Sequence, residues 1–220
     1  VRLELEVPTW PGNHAGSHLD IRLTAPDGYQ ATRSYSLASS GESTLVVLAV
    51  EELPGGEVSP FLVHHLAQGE EVEVHGPLGR FFVWIPSPSD RTPVQLIAGG
   101  SGVVPLFSMA AARERETEGG EFRLLYSVRS QRDVFFAEEL DALSQTQVEI
   151  VHTREAPSGS CRPPGRLTRD ALAETTFPAA MAPRIYVCGP TPFVEQIARW
   201  LVELGHDALR IRTERFGGSS

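Results

Sequence analysis

Val94-Gln-Leu-Ile-Ala-Gly-Gly-Ser-Gly-Val-Val-Pro105 decides the fold of this 220-residue chain. Val94–Ala98 is a short run without charge, as a strand buried on both faces requires. An Ala-rich helical pattern follows to about Arg115. Between them, Gly99-Gly100-Ser101-Gly102 forms a tight turn, because glycine tolerates positive φ and lets another backbone or a ligand come close. Pro105 suits the first turn of a helix, where its missing N–H costs nothing. The helix start offers unpaired N–H groups and a positive dipole end, which suit Gly100, Ser101, Gly102 and Pro105 to a bound diphosphate. The pattern is not G-x-G-x-x-G, since Pro105 stands in place of the third glycine, and a plain glycine-rich turn would read the same way.

Downstream the alternation continues: strand Phe122–Val128, helix Ala137–Leu143, strand Val148–Thr153 and helix Thr168–Glu174. Strand Ile185–Cys188, helix Pro192–Leu204 and strand Leu209–Thr213 follow, with Phe193, Ile197, Leu201 and Leu204 on one helix face. Strands alternating with helices predict a parallel sheet. Ligands of such sheets lie beyond the carboxyl ends of the strands. Two further strand ends carry chemistry: Cys188-Gly189-Pro190, and Thr153-Arg154-Glu155. An Arg beside a hydroxyl suits a second phosphate, such as the 2′-phosphate of NADP; the plainer reading of Arg154 is a solvated loop cation.

Upstream the period is two. Val1–Val7 alternates strictly, and Leu19–Leu23, Thr44–Val50, Glu71–His75 and the less regular Phe81–Ile85 read as further short strands. One short helix is expected around Ser59–Ala67. Short strands at this spacing predict an antiparallel barrel or sandwich. The Pro/Ser-rich Ile85–Pro93 reads as the boundary, giving domains 1–90 and 91–220. On the strand Arg33-Ser34-Tyr35-Ser36, Arg33 and Tyr35 share one face and Ser34 and Ser36 the other. A cation, an aromatic plate and small hydroxyls suit a planar cofactor that bears an anion. Gly56-Glu57-Val58-Ser59 opens the short helix and offers a second group of N–H donors.

Composition narrows the field. A net charge of −9 with 19 scattered cations, almost entirely Arg, argues against a nucleic-acid footprint and leaves small anionic ligands in play. No apolar run nears the roughly 20 residues that span a bilayer. Two cysteines cannot build a four-Cys iron–sulfur centre, and Cys161 and Cys188 do not look like a disulfide framework, so a reducing, cytoplasmic home is expected. No secretory signal is visible, and Val1 reads as the start of a processed or trimmed segment. His64-His65 points in two directions on a helix and is read as surface histidines rather than a metal pair. Cys161 reads as a loop thiol, and Trp10, Trp84 and Trp200 as core or boundary residues.

Six motifs stand in order: Arg33-Ser-Tyr-Ser36, Gly56-Glu-Val-Ser59, Gly76-Pro-Leu-Gly-Arg-Phe81, Gly100-Ser-Gly-Val-Val-Pro105, Cys188-Gly-Pro190 and Glu214-Arg-Phe216. Together they resemble the ferredoxin–NADP reductase superfamily, and within it the bacterial flavin-dependent reductase modules of oxygenases. The resemblance implies a two-domain protein, a flavin-binding antiparallel β-barrel followed by an NAD(P)-binding α/β domain with a parallel sheet. It implies that Arg33, Ser34, Tyr35 and Ser36 line FAD (FMN being the less favoured flavin), with Arg33 on the phosphates, Tyr35 on the isoalloxazine and Ser36 near N5. Gly56, Glu57, Val58 and Ser59 would hold the pyrophosphate, and Ala49, Val50 and Glu51 the adenosine side. Thr153-Arg154-Glu155 resembles the family's Ser-Arg-Glu, which recognises the 2′-phosphate, and so favours NADP(H) over NAD(H). Cys188, Gly189 and Pro190 would lie by the nicotinamide, with Glu214 as a nearby acid and Phe216 covering the flavin. The implied activity passes hydride from NAD(P)H to FAD N5, then single electrons to a separate acceptor protein. A redox-sensing module without catalysis and a free flavin or ferric reductase are the alternatives.

Overall fold

The computed structural model describes residues 1–53, 55–160 and 162–216. The readings of Cys161 and of Gly217–Ser220 lie outside the described residues. The chain divides into two compact units, Val1–Trp84 and Ile85–Ser220. Residues 85–90 thus go with the second unit; Asp90 is tied there by Arg184 at 2.6 Å and by the N–H of Thr92.

The first unit holds β1 (Arg2–Glu6), β2 (His18–Thr24), β3 (Gln30–Ser36), β4 (Leu45–Ala49), α1 (Val58–His64) and β5 (Glu73–Leu78). β1 pairs antiparallel with β4, and β2 lies between β3 and β5, antiparallel to both. A bridge from Leu37 to Leu48 joins the two sheets, which wrap one core of Leu19, Ile21, Leu37, Val46, Leu48, Val58 and Leu62. The expected strand at Phe81–Ile85 does not form. Only Trp84 bridges, to Ala15, while Phe81 and Ile85 are exposed and Phe82–Trp84 are buried. Consecutive buried residues defeat a period-two pattern, which explains the irregular reading of that stretch.

The second unit holds β6 (Val94–Gly99), α2 (Val103–Arg113), β7 (Phe122–Val128), α3 (Ala137–Asp141) and β8 (Thr146–His152), then α4 (Arg169–Thr175), β9 (Arg184–Pro190), α5 (Thr191–Glu203) and β10 (Ile211–Phe216). All five strands are parallel, in the order β10-β9-β6-β7-β8. β6 is central and wholly buried, as its uncharged sequence requires. Val194, Ile197 and Leu201 of α5 pack on Ile97, Ile185 and Val187, with Phe193 and Leu204 at the margin. Leu209, expected in the last strand, is 91% exposed in a 3₁₀ turn before β10. Buried Gln95 is fully engaged: its amide donates to Leu96 and Arg123 carbonyls and its oxygen accepts from Phe177 N–H at 3.1 Å. No helix among the described residues is long and apolar enough to cross a membrane.

Candidate functional site

The chain runs outward from β6 to β7 and β8, then returns to the other side of β6 for β9 and β10. The order reverses between β6 and β9, and a crevice for ligands opens at the carboxyl ends of such strands. Two glycine turns meet there. Gly102 has φ −60°, which any residue adopts, yet a Cβ on it would lie 2.2 Å from the Cys188 carbonyl oxygen. A Cβ on Gly99 would strike the Phe193 ring at 2.7 Å, and one on Gly189 would meet the Gly99 oxygen at 2.9 Å. These three glycines are therefore required by space. Gly100 is the opposite case, with φ +55° and nothing within 4 Å of its Cβ position. Its left-handed backbone leaves the outer side of the turn open. Ser101 is half-buried there, and Pro105 is buried in the first turn of α2, its carbonyl accepting the Ser108 hydroxyl at 2.8 Å. Phe193, the packing partner of both turns, was read in the sequence only as part of an apolar helix face; an aromatic next to the N-terminal Pro192 of α5 is the signal that could have found it.

Cys188 is fully buried at the end of β9, and Glu214 is its register partner on β10. Burial pushes the Cys188 thiol well up, the Glu214 carboxylate pushes it further, and a hydrogen bond from Gly189 N–H offsets part of this. Burial also raises the Glu214 carboxyl from 4.5 to about 7. The pair is thus a protonated thiol beside a carboxyl that changes charge near neutrality. Phe216 pairs in register with Pro190 and is half-buried.

At the rim of β7 and β8, Thr153 N–H donates to the Val128 carbonyl at 2.8 Å. Arg154 and Glu155 both donate to the Arg129 carbonyl, at 2.9 and 3.2 Å. Gly165 N–H donates to the His152 carbonyl at 3.0 Å. These bonds gather Arg129, Arg154 and the neighbour of Gly165, Arg166, at one strand end, and all three side chains are exposed. Arg129 and Arg166 are gathered by the ladder rather than by a motif, so the sequence alone did not single them out.

In the first unit Arg33 is exposed, bonded to the Thr32 carbonyl at 2.8 Å and 3.7 Å from the Glu57 carboxylate. Such an exposed pair is worth at most about 1 kcal/mol, so an incoming phosphate can take the guanidinium. Glu57 also accepts from Tyr29 Oη at 3.2 Å. Tyr35 is half-buried against the core, and burial raises its phenol while Arg33 pulls the other way. Ser34 is turned to Asp20, donating at 2.5 Å. Ser36 differs: its hydroxyl is buried and has no hydrogen-bond partner among the described residues.

The remaining positions are largely structural in this arrangement. Val50 is core, with its N–H and carbonyl both paired to Val1 at 2.8 Å, and Ala49 is buried while Glu51 is exposed. Val58 is core, and Ser59 accepts Leu53 N–H at 3.0 Å. Gly56 lies close to that loop, a Cβ on it falling 3.0 Å from the Leu53 oxygen. His64 bonds Glu52 at 2.9 Å.

Antiparallel sheets around one core that expose an arginine and hold an orphaned serine, followed by a parallel sheet with a glycine crevice, define a flavin- and dinucleotide-binding class of protein. Comparison with known proteins agrees. Residues 2–83 match the oxidoreductase FAD-binding domain and residues 96–199 the oxidoreductase NAD-binding domain. The chain belongs to this ferredoxin–NADP reductase-like family of FAD- and NAD-binding oxidoreductases. It is 32% identical over 215 residues to the glycine betaine monooxygenase reductase subunit of Chromohalobacter salexigens, covering 95% of this chain and 56% of that protein. The FAD/NAD-binding domain of nitric oxide dioxygenase from Vibrio cholerae superposes with a TM-score of 0.81 at 26% identity, covering 99% of this chain and 92% of that one. Phthalate dioxygenase reductase, whose structure is described as modular for electron transfer from pyridine nucleotides to [2Fe-2S], gives 0.74 at 25% identity, covering 100% and 64%. The chain spans about half the length of the curated relatives it matches.

Proposed function

We propose that this chain takes hydride from NADPH onto FAD and hands the electrons singly to a separate acceptor protein. When bound, the flavin supplies the conversion between two-electron and one-electron chemistry. The protein's part is to bind and orient the two rings. Ser36 carries the reading: a buried hydroxyl without a partner costs about 1–3 kcal/mol, and a ring nitrogen such as flavin N5 would satisfy it. Arg33 would hold phosphate once it leaves Glu57, and the N–H groups of Gly56–Ser59 would help. The Glu57 side chain would have to face away, towards Tyr29.

On the second unit, the open turn at Gly100–Gly102 would take the dinucleotide's diphosphate. Cys188 would pack, as a neutral thiol, beside the nicotinamide. Glu214 would set the local charge, and Phe216 would cover the flavin. Thr153 and Arg154 favour a 2′-phosphate and hence NADP(H), with Arg129 and Arg166 adding positive charge at the same rim. The acceptor is proposed as a ferredoxin-like or oxygenase component, because oxygenase reductases recur among the relatives.

Adding FAD to the purified chain and then NADPH without oxygen tests this. The bound flavin's visible absorption should appear and then bleach. A chain that takes up no FAD would end the flavin reading. Rapid NADPH oxidation with free flavin but none with a protein acceptor would favour a free flavin reductase.

A further inference from the structure

The charge of the chain is unevenly shared. Residues 1–84 carry eleven Asp and Glu against four Arg and no Lys, whereas residues 85–220 carry seventeen against fifteen. Much of the first unit's excess gathers around α1: Glu51 and Glu52 before it, Glu57 at its start, and Glu70, Glu71 and Glu73 after it, all exposed. Among these carboxylates opens a groove of about 650 Å³, between the β2–β3 turn, α1 and the start of β5.

The lining of the groove is apolar at its centre. Leu23, Phe61 and Val72 contribute to it, each half-buried against the core of this unit, together with buried Ala31. Tyr29 adds an aromatic ring that is 56% exposed, its hydroxyl donating to Glu57 at 3.2 Å. Three carboxylates, Glu57, Glu71 and Glu73, face one cation, Arg22. Arg22 is taken by Glu73, its Nε donating at 2.7 Å and its Nη2 to the other carboxylate oxygen. Glu71 has no hydrogen bond or ion pair among the described residues. Glu57 lies 3.7 Å from Arg33, and on the flavin reading it loses that cation to a phosphate. An apolar centre with exposed aromatic and negative groups suits the side chain of a Lys or Arg, whose stem is apolar and whose head pairs with rings and carboxylates. It repels an anion, and it repels a second copy of so acidic a unit.

We propose that this groove is a docking surface for the electron acceptor, and that the acceptor enters it with a basic segment, an apolar side chain flanked by Lys or Arg. This rests on the flavin reading, which calls for an acceptor protein. The apolar centre supplies burial, and the carboxylates steer the encounter and reject acidic partners. Glu57 links the two binding events. A flavin phosphate draws Arg33 away, and the freed carboxylate then takes a cation of the acceptor. Flavin and acceptor therefore strengthen each other's binding.

The test uses the full ¹⁵N-labelled chain with and without FAD, and ferricytochrome c, a basic one-electron acceptor, as the probe. Cytochrome c should shift the backbone amides of 22–31, 57–61 and 71–73, and high salt should abolish the shifts. FAD should raise the affinity. Glu71→Lys reverses a rim charge, and Ala25→Trp fills the groove from the exposed turn. Each should raise the KM for cytochrome c in NADPH-driven reduction about fivefold to tenfold, without raising that for ferricyanide. Glu42→Lys, the same charge change outside the groove, should act far less. No shifts, shifts spread over every acidic surface, or Glu42→Lys acting as strongly as Glu71→Lys overturns the docking surface. An affinity that bound FAD leaves unchanged overturns the part given to Glu57. Groove shifts in a chain that takes up no FAD would uphold the surface and end the flavin reading alone.

Discussion

Glu214 stands directly across from Cys188 in the parallel pair of β9 and β10. A carboxyl held up at about 7 beside a buried thiol makes this strand pair sensitive to pH. The folded state binds a proton on Glu214 more tightly than the unfolded chain does. Its contribution to stability is therefore complete below about 4.5 and is lost as pH rises through about 7. Urea denaturation at pH 5 and pH 8 should show a lower midpoint at pH 8, and Glu214→Gln should shrink that difference. An undiminished difference would mean that other groups set it.

Cys188 should be chemically quiet. The thiolate is the reactive species, and burial and Glu214 both act against it. Iodoacetamide at pH 8 should leave the Cys188 peptide unmodified in the native protein and label it after unfolding. Mass spectrometry of that peptide keeps Cys161 out of the comparison.

Gly102→Ala and Gly100→Ala should fail for different reasons. The first forces a methyl to within 2.2 Å of a backbone oxygen. Overpacking of that kind costs about 1–3 kcal/mol or more and displaces the turn. The second meets no atom, and costs only the left-handed backbone, about 1–2 kcal/mol. Chemical denaturation ranks the two, and NADPH affinity should fall further in Gly102→Ala.

Ser36→Ala should change sign with cofactor. Without FAD, removing an unsatisfied buried hydroxyl should be neutral or stabilise by up to about 1 kcal/mol. With FAD bound, the variant should be the less stable protein and should be reduced more slowly. Melting temperatures with and without FAD give the comparison; equal shifts in both would mean that Ser36 does not face the flavin.

Arg154→Ala should weaken NADPH much more than NADH. A hydrogen bond to a charged phosphate is worth about 1.5–3 kcal/mol, or roughly 10- to 100-fold in KM. Arg129→Ala should act in the same direction. Equal effects on both dinucleotides would place the 2′-phosphate elsewhere.

The parts of the fold legible in the sequence were those with a repeating pattern. Val94–Gly99 announced itself by lacking charge, and α5 by the spacing of Phe193, Ile197 and Leu201. Phe81–Ile85 misled because the consecutive Phe82, Val83 and Trp84 are all buried and so follow no local period, and Leu209 because an apolar residue there stands exposed in a turn. At the site, the glycines were visible but their reasons were not: Gly102 and Gly100 look alike in sequence, and only the Cys188 carbonyl separates them. Ser36 was singled out by its motif.

The interlocked turns of Gly99, Gly102, Gly189 and Phe193 leave the floor of the nucleotide crevice with little freedom to vary. Drift there is punished by collision, so on the proposed reading a change of preferred coenzyme would be written in the exposed arginines at the edge. Such a division would let a lineage exchange one electron donor for another in a few steps while the turns beneath stay fixed.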